Sequence, residues 1–300
     1  MLEEKRAGFI AVIGSPNSGK STLINHLIGQ KITIVTRKVQ TTRSVIRGIC
    51  IHKEAQLVFS DTPGIFEPKR RLDRAMVEAA WSSSSDADII LFLYDAQKIK
   101  IGDETTKIVD ELGQLARKKI LVFNKVDLVD NTKLLPLIKN FEAICSFDAT
   151  FIISALTGEG SKDVLSYLAK NLPKGPWLYP EDDITDLPER LLAAEITREQ
   201  IFMRLHQELP YGATVETEEW TERDDGAIVI NQIIYLKKAG HKKIVIGKNG
   251  SMIKSLGQAA RIEIEQILER SVHLFLFVKV RENWMDDPDR YKIWGLNPNA

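Results

Sequence analysis

The stretch GFIAVIGSPNSGKSTLINHLIG, residues 8–29, decides how the rest of the chain is read. GFIAVI (8–13) is an apolar run of strand length, and GKSTLINHLIG (19–29) has the apolar spacing of a helix. Between them, GSPNSGKS (14–21) fits the spacing G-x-x-x-x-G-K-S/T in full. Gly14 and Gly19 let the backbone curl until successive N–H groups face a phosphate. The helix that follows adds its positive end. Lys20 can reach the outer phosphates, and Ser21 offers a hydroxyl to a magnesium ion. Ser15, Pro16, Asn17, Ser18 and Thr22 complete the set expected around the phosphates.

A second metal contact lies in FSDTPG (59–64), where Asp61 closes an apolar strand. Gly64 can present its N–H to a terminal phosphate and move when that phosphate leaves. In VQTTRS (39–44), Thr41 or Thr42 completes the metal shell; the sequence does not choose between them. Lys20, Thr41, Thr42 and Gly64 form the expected catalytic set, and Ser21, Thr41, Thr42 and Asp61 the expected metal set. The residue after Gly64 is Ile65, where many small GTPases carry a glutamine that orients water, so turnover is expected to be slow. Asn17 has two readings: a ligand for a potassium ion beside the phosphates, or a brace for its own loop.

The base is read elsewhere. FNKVDL (123–128) ends another apolar strand. Asp127 can accept from the N1–H and exocyclic amine of guanine, a donor pair adenine lacks. Asn124 can tie the base to the phosphate loop, and the stem of Lys125 can lie along the ring. In IISAL (152–156), Ser154, Ala155 and Leu156 bring a backbone N–H, that of Ala155, toward the guanine oxygen. GTP is therefore expected as substrate and GDP as product.

The remaining apolar runs at 44–51, 55–60, 88–95, 118–125 and 149–154 alternate with helical stretches near 103–117 and 161–172. That alternation predicts a largely parallel sheet covered on both faces. The expected boundaries are a nucleotide domain over 1–172, a proline-rich acidic linker over 173–189, an RNA-binding domain over 190–283 and a capping tail over 284–300. In the second domain the order reads helix (190–207), strand (213–220), strand (227–236), short helix (242–246), long helix (to about 270), strand (272–280). Trp177 and Tyr179 are expected to pack the linker against a domain.

IGKNG (246–250) is a second glycine loop but not a second nucleotide pocket. G-x-x-G is too short to wrap a diphosphate, and no Lys-Ser pair follows. With a helix on each side, it can clamp a sugar–phosphate backbone. Gly247, Lys248, Asn249 and Gly250 form the clamp, Ile244, Ile246 and Ile253 its apolar floor, and Lys242, Lys243 and Lys254 its charged rim. Residues 237–254 hold six lysines and no acid, although the whole chain balances 41 basic against 41 acidic residues. Phe275 and Phe277 are read as core. Arg70, Arg71 and Arg74 are open between phosphate, partner and solvent.

Three hundred residues with 44% hydrophobic content fit about two domains. Cys50 and Cys145 make neither a disulfide framework nor a metal site and fit a reducing compartment. The five histidines show no ligand spacing. No signal peptide and no membrane-spanning run is expected.

Taken together, residues 14–21, 41–43, 61–64, 124–127 and 154–156 look like the five motifs of a translation-factor-related GTPase. With VIGKNG (245–250) and a closing GLNP (295–298), the chain resembles the Era family of bacterial GTPases over nearly its whole length. The resemblance implies an α/β fold, with a Ras-like P-loop GTPase domain followed by a smaller α+β type II KH domain. It implies magnesium, binding of the 3′ end of 16S ribosomal RNA, and assistance to assembly of the small (30S) ribosomal subunit. It also implies a cytoplasmic monomer, with peripheral association to the inner membrane known for some family members. In that family a hydrophobic residue commonly stands where Ile65 does, and valine is common at the place of Ser18. Two other readings compete: a GTP-regulated checkpoint or assembly switch acting mainly through protein contacts, and a kinase, which would gain nothing from Asn124–Asp127.

Overall fold

A computed structural model describes residues 4–206 and 208–300. The first three residues of the expected 1–172 domain, and Gln207 at the end of the expected 190–207 helix, lie outside them. The chain divides into two compact units: residues 1–33, 42–186 and 291–300 form the first, and 34–41 with 187–290 the second.

The first unit runs β1 (Arg6–Ile13), α1 (Lys20–Ile28), β2 (Ile46–His52), β3 (Ala55–Asp61), α2 (Arg71–Asp86), β4 (Ile89–Asp95), α3 (Asp103–Gln114), β5 (Lys118–Asn124), α4 (Leu134–Ile144), β6 (Ala149–Ile152) and α5 (Ser161–Asn171). Its sheet has the order β2-β3-β1-β4-β5-β6, parallel except where β2 pairs antiparallel with β3. Every residue of β3 and β4 is buried, which is why these strands read as continuous apolar runs. On one side of the sheet, Tyr94 and Phe123 meet Phe141 of α4 edge-on, with centroids 4.7 and 5.5 Å apart.

Sequence patterning anticipated neither α2 nor α4. In α2 the run WSSSSD conceals the helix. Ser84 and Ser85 bond back to the carbonyls of Ala80 (2.8 Å) and Trp81 (3.1 Å), so their hydroxyls do not compete with the helix.

Residues 173–186 of the expected linker count with the first unit. Gly175 donates to the Lys5 carbonyl at 3.0 Å, and Ile49 on the edge strand β2 donates to Ile184 at 2.8 Å. The Gln56 side chain binds backbone at Leu178 and Tyr179, and Trp177 Nε1 donates to Glu54. The segment satisfies polar groups that an open sheet edge would leave unpaired. The last ten residues of the expected capping tail count with the first unit. Arg71 donates to the Pro298 carbonyl and stands over the Tyr291 ring, and Asn297 donates to Glu78 at 2.9 Å. That answers the open question on Arg71, whereas Arg74 is exposed.

The second unit has α6 (Glu189–Arg204), β7 (Ala213–Glu222), β8 (Ile228–Leu236), α7 (Ala239–Ile246), α8 (Ser251–Leu268) and β9 (Val272–Val280). β8 pairs antiparallel with β7 and parallel with β9. A short α9 (Pro288–Ile293) follows. The order is the one expected from sequence. α6, however, is buried nearly all round over residues 192–202 rather than on one stripe. α6 packs on β7 and α8, and a further side is met by the segment Ile34–Thr41, which counts with this unit although its sequence neighbours lie in the first. Val35 donates to Glu199 at 2.7 Å, Lys38 donates to the carbonyls of Phe202 and Leu205, and Arg198 donates to the Thr41 carbonyl at 2.5 Å.

Candidate nucleotide site and nucleic-acid cleft

The C-terminal ends of β3, β1, β4 and β5 carry Asp61, the 14–21 loop, Asp95 and Asn124 side by side. Ligands bind at this edge in open α/β sheets, where the strand order reverses. In the loop, Gly19 has φ 100°, and a β-carbon there would lie 2.2 Å from Asn124 Nδ2. Lys20 is buried and donates to the carbonyls of Gly14 and Ser15, each at 3.2 Å. Burial lowers its pKa to about 8, against the pull of Asp61. Ser15 and Ser18 are also buried, and Gly64 sits so close to Pro16 that a β-carbon would come within 2.8 Å of its nitrogen. Asn17 takes the left-handed conformation (φ 62°) that asparagine tolerates in turns.

Ser21 donates to Asp61 at 2.7 Å, and Thr42 lies 3.2 Å from Ser21. Thr41 instead bonds Thr36 and the Lys38 carbonyl within the second unit. The geometry therefore brings Thr42, not Thr41, to the expected metal shell. Asp61 is fully buried, and its Oδ1 has no hydrogen-bond partner. Burial raises its pKa to about 6, opposed by Ser21 and Lys20. A buried carboxylate with one oxygen unsatisfied beside two hydroxyls fits a hard divalent cation such as magnesium. Ile65, at the place of the absent glutamine, is turned into the core and only 5% exposed.

At the guanine end, Asn124 Nδ2 donates to the Ser18 carbonyl at 2.8 Å, tying the two loops as expected. The Ala155 N–H differs from expectation: it donates to Asn124 Oδ1 at 2.8 Å instead of standing ready for a guanine oxygen. Lys125, at φ 64°, donates to Asp95 at 2.6 Å. Asp127 is exposed on a single 3-10 turn of helix (Val126–Leu128), Ser154 is buried and accepts from Thr157, and Leu156 is 78% exposed. Sequence reasoning missed Asp95. The signal was present, because a carboxylate closing a buried apolar strand had already singled out Asp61.

In the second unit, α7 ends at Gly247 (φ 74°), where a β-carbon would meet Met252 at 2.7 Å. Lys248 and Asn249 stand exposed between Gly247 and Gly250, and α8 begins at Ser251. Lys242, Lys243 and Lys254 are exposed, as is Ile244 at 55%, while Ile246 and Ile253 are half-buried. From this loop a cleft of about 360 Å³ runs between α8 and β9, lined by Ile253, Lys254, Gly257, Gln258, Arg261 and Phe275, among others. Phe275 and Phe277 correct the sequence reading. They are 52% and 50% exposed, because the even-numbered residues of β9 pack on the helices and the odd ones face outward. Among the described residues no cluster of acids, histidines and cysteines forms another metal site, and no helix is long and apolar enough to cross a membrane.

A phosphate loop, a carboxylate-closed strand and a guanine-reading strand end, followed by an α-β-β-α-α-β unit with G-x-x-G between its helices, define a P-loop GTPase carrying a KH domain. Comparison with known proteins agrees. The 50S ribosome-binding GTPase family matches residues 9–125, and the KH domain family matches residues 208–285. GTPase Era of Brucella suis biovar 1 (strain 1330) is 56% identical over 98% of this chain and 94% of its own length. GTPase Era of Sinorhizobium medicae (strain WSM419) is 57% identical over 97% and 94%. Two solved structures superpose with a TM-score of 0.92 at 39% identity, covering 97% of this chain and 99% of theirs. One is an Aquifex aeolicus Era variant bound to GDP and aluminium fluoride, and the other is Era with MgGDPNP and nucleotides 1506–1542 of 16S ribosomal RNA. The chain belongs to the GTPase Era family, and it is a GTPase.

Proposed function

We propose that this chain is a GTP-controlled binder of the 3′ end of 16S ribosomal RNA that assists maturation of the small ribosomal subunit in the cytoplasm. One observation carries the reading. The peptide joining Thr41 to Thr42 divides between the two units. Thr42 lies at Ser21 in the GTPase unit, and the Thr41 carbonyl accepts from Arg198 in the KH unit. A change at the γ-phosphate that moves Thr42 must pull on a segment anchored to α6. The solved relative that holds MgGDPNP together with 16S nucleotides supports the same pairing of ligands.

In this reading Ser21, Asp61 and Thr42 hold magnesium, which when bound neutralises charge on the β- and γ-phosphates. Lys20 reaches those phosphates when it leaves the carbonyls of its own loop, and the Gly64 N–H meets the terminal phosphate. Asp127 selects guanine. With Ile65 buried, no side chain directly after Gly64 orients water, so intrinsic hydrolysis is slow. Lys248 and its neighbours grip the RNA backbone while the α8–β9 cleft receives bases.

The test is a titration of a fluorescent single strand from the 16S 3′ end at fixed salt, with GDP and with a non-hydrolysable GTP analogue. Tighter binding with the analogue is expected. Equal affinity in the two states would refute the coupling.

A further inference from the structure

We propose that the outward face of β9 is a second part of the RNA site, a stacking platform that extends the bound strand past the cleft. The proposal rests on the reading of that cleft as an RNA site. His273, Phe275, Phe277 and Lys279 all point to the same exposed face of β9. They form a row of three aromatic rings closed by a cation. Successive members stand about 6.6 Å apart, because a strand rises about 3.3 Å per residue and alternate side chains share a face. That spacing matches an extended single strand with one base per ring. Rings of this kind hold bases without regard to sequence.

The occupant follows from continuity and charge. Phe275 belongs to both places: it lines the cleft and heads the pair of half-exposed phenylalanines. A strand leaving the cleft past Lys254 and Arg261 therefore meets Phe275 first, then Phe277, then Lys279. It cannot spread sideways over the sheet. Asn231 lies beside Phe275 on β8, and beyond it β7 presents the exposed Glu218 and Glu219, which repel phosphates. Glu218 reaches Lys279 at 3.5 Å and Glu219 accepts from Asn231, so the acids mark the border of the platform. The track is thus confined to β9. Phe277 stands beside the buried Ile233 of β8 yet keeps half of its surface in solvent.

The experiment uses the full chain with a GTP analogue and two labelled single strands, of four and of ten nucleotides, from the 16S 3′ end. The wild type should bind the longer strand more tightly. Phe277→Ala should weaken the ten-nucleotide strand about 5-fold or more. It should leave the four-nucleotide strand unchanged, and Phe277→Trp should keep the longer strand's affinity. Lys248→Ala should weaken both lengths. Unchanged binding of the longer strand by Phe277→Ala overturns the platform, as does an equal loss on both lengths. Failure of the wild type to bind either strand would instead overturn the cleft reading on which the platform depends.

Discussion

Asn124 and Ser18 are joined by one hydrogen bond, 2.8 Å from the amide nitrogen to the backbone carbonyl, and that bond fastens the end of β5 to the 14–21 loop. The same amide accepts from Ala155, so one buried side chain holds three loops in register.

Asn124→Ala should therefore destabilise the nucleotide-free protein as well as weaken nucleotide binding. It leaves the Ser18 carbonyl and the Ala155 N–H without partners in a buried place. Each orphaned group costs about 1–3 kcal/mol, so a loss of about 2–6 kcal/mol is expected. Denaturant unfolding without nucleotide measures it. An unchanged midpoint would mean that the bonds are replaced by water.

Asp61 gives stability a pH dependence of known sign. Its folded pKa, about 6, lies above the ordinary value of 3.8 because the carboxyl is buried. The unfolded chain therefore loses the proton first, and stability falls as pH rises from about 4 to about 6. The size is about 3 kcal/mol, at about 1.36 kcal/mol per pKa unit. Asp61→Asn should flatten this part of the profile and raise the melting temperature of the nucleotide-free protein at pH 7. It should also abolish magnesium-dependent nucleotide binding, a trade of function for stability. Melting curves from pH 4 to 8 without nucleotide would show a pH-independent difference between variant and wild type if the argument is wrong.

Much of this site was legible because its chemistry sits where strands end. Asp61, Asn124 and the 14–21 loop each follow an apolar run that could only be a buried strand, and the order of the KH elements was equally plain. What stayed hidden depends on contacts between distant segments. Nothing near Thr41 and Thr42 in sequence says which faces Ser21, because Arg198, more than 150 residues away, holds the other. Phe275 and Phe277 read as core because alternation on a strand does not say which face is covered. The helix over Arg71–Asp86 was masked by serines whose hydroxyls bond backward.

Asp127→Asn tests the guanine assignment directly. In the proposed role the carboxylate accepts from two donors of guanine; an amide presents one acceptor and one donor group instead. Two charge-assisted bonds are at stake, each about 1.5–3 kcal/mol, so GTP affinity should fall about 100-fold or more. Xanthine carries a carbonyl in place of the exocyclic amine, so the variant should prefer XTP. Competition between GTP and XTP for one fluorescent nucleotide measures the preference, and a variant that keeps its choice of GTP would remove Asp127 from base recognition.

The coupling between nucleotide and RNA can be separated from both binding events at Arg198. This side chain is only 1% exposed; it is braced by Glu195 and gives Nη2 to the Thr41 carbonyl. Arg198→Lys keeps the charge but loses the planar fork that makes both contacts at once. Neither Lys20 nor Lys248 is touched, so GDP affinity and RNA affinity in the GDP state should stay within about 3-fold of wild type. The ratio of RNA affinities between the GTP-analogue and GDP states should fall toward one. If Thr41 is held only for packing, the variant will lose stability while that ratio stays unchanged, and the peptide between Thr41 and Thr42 would then not be the link between the two sites.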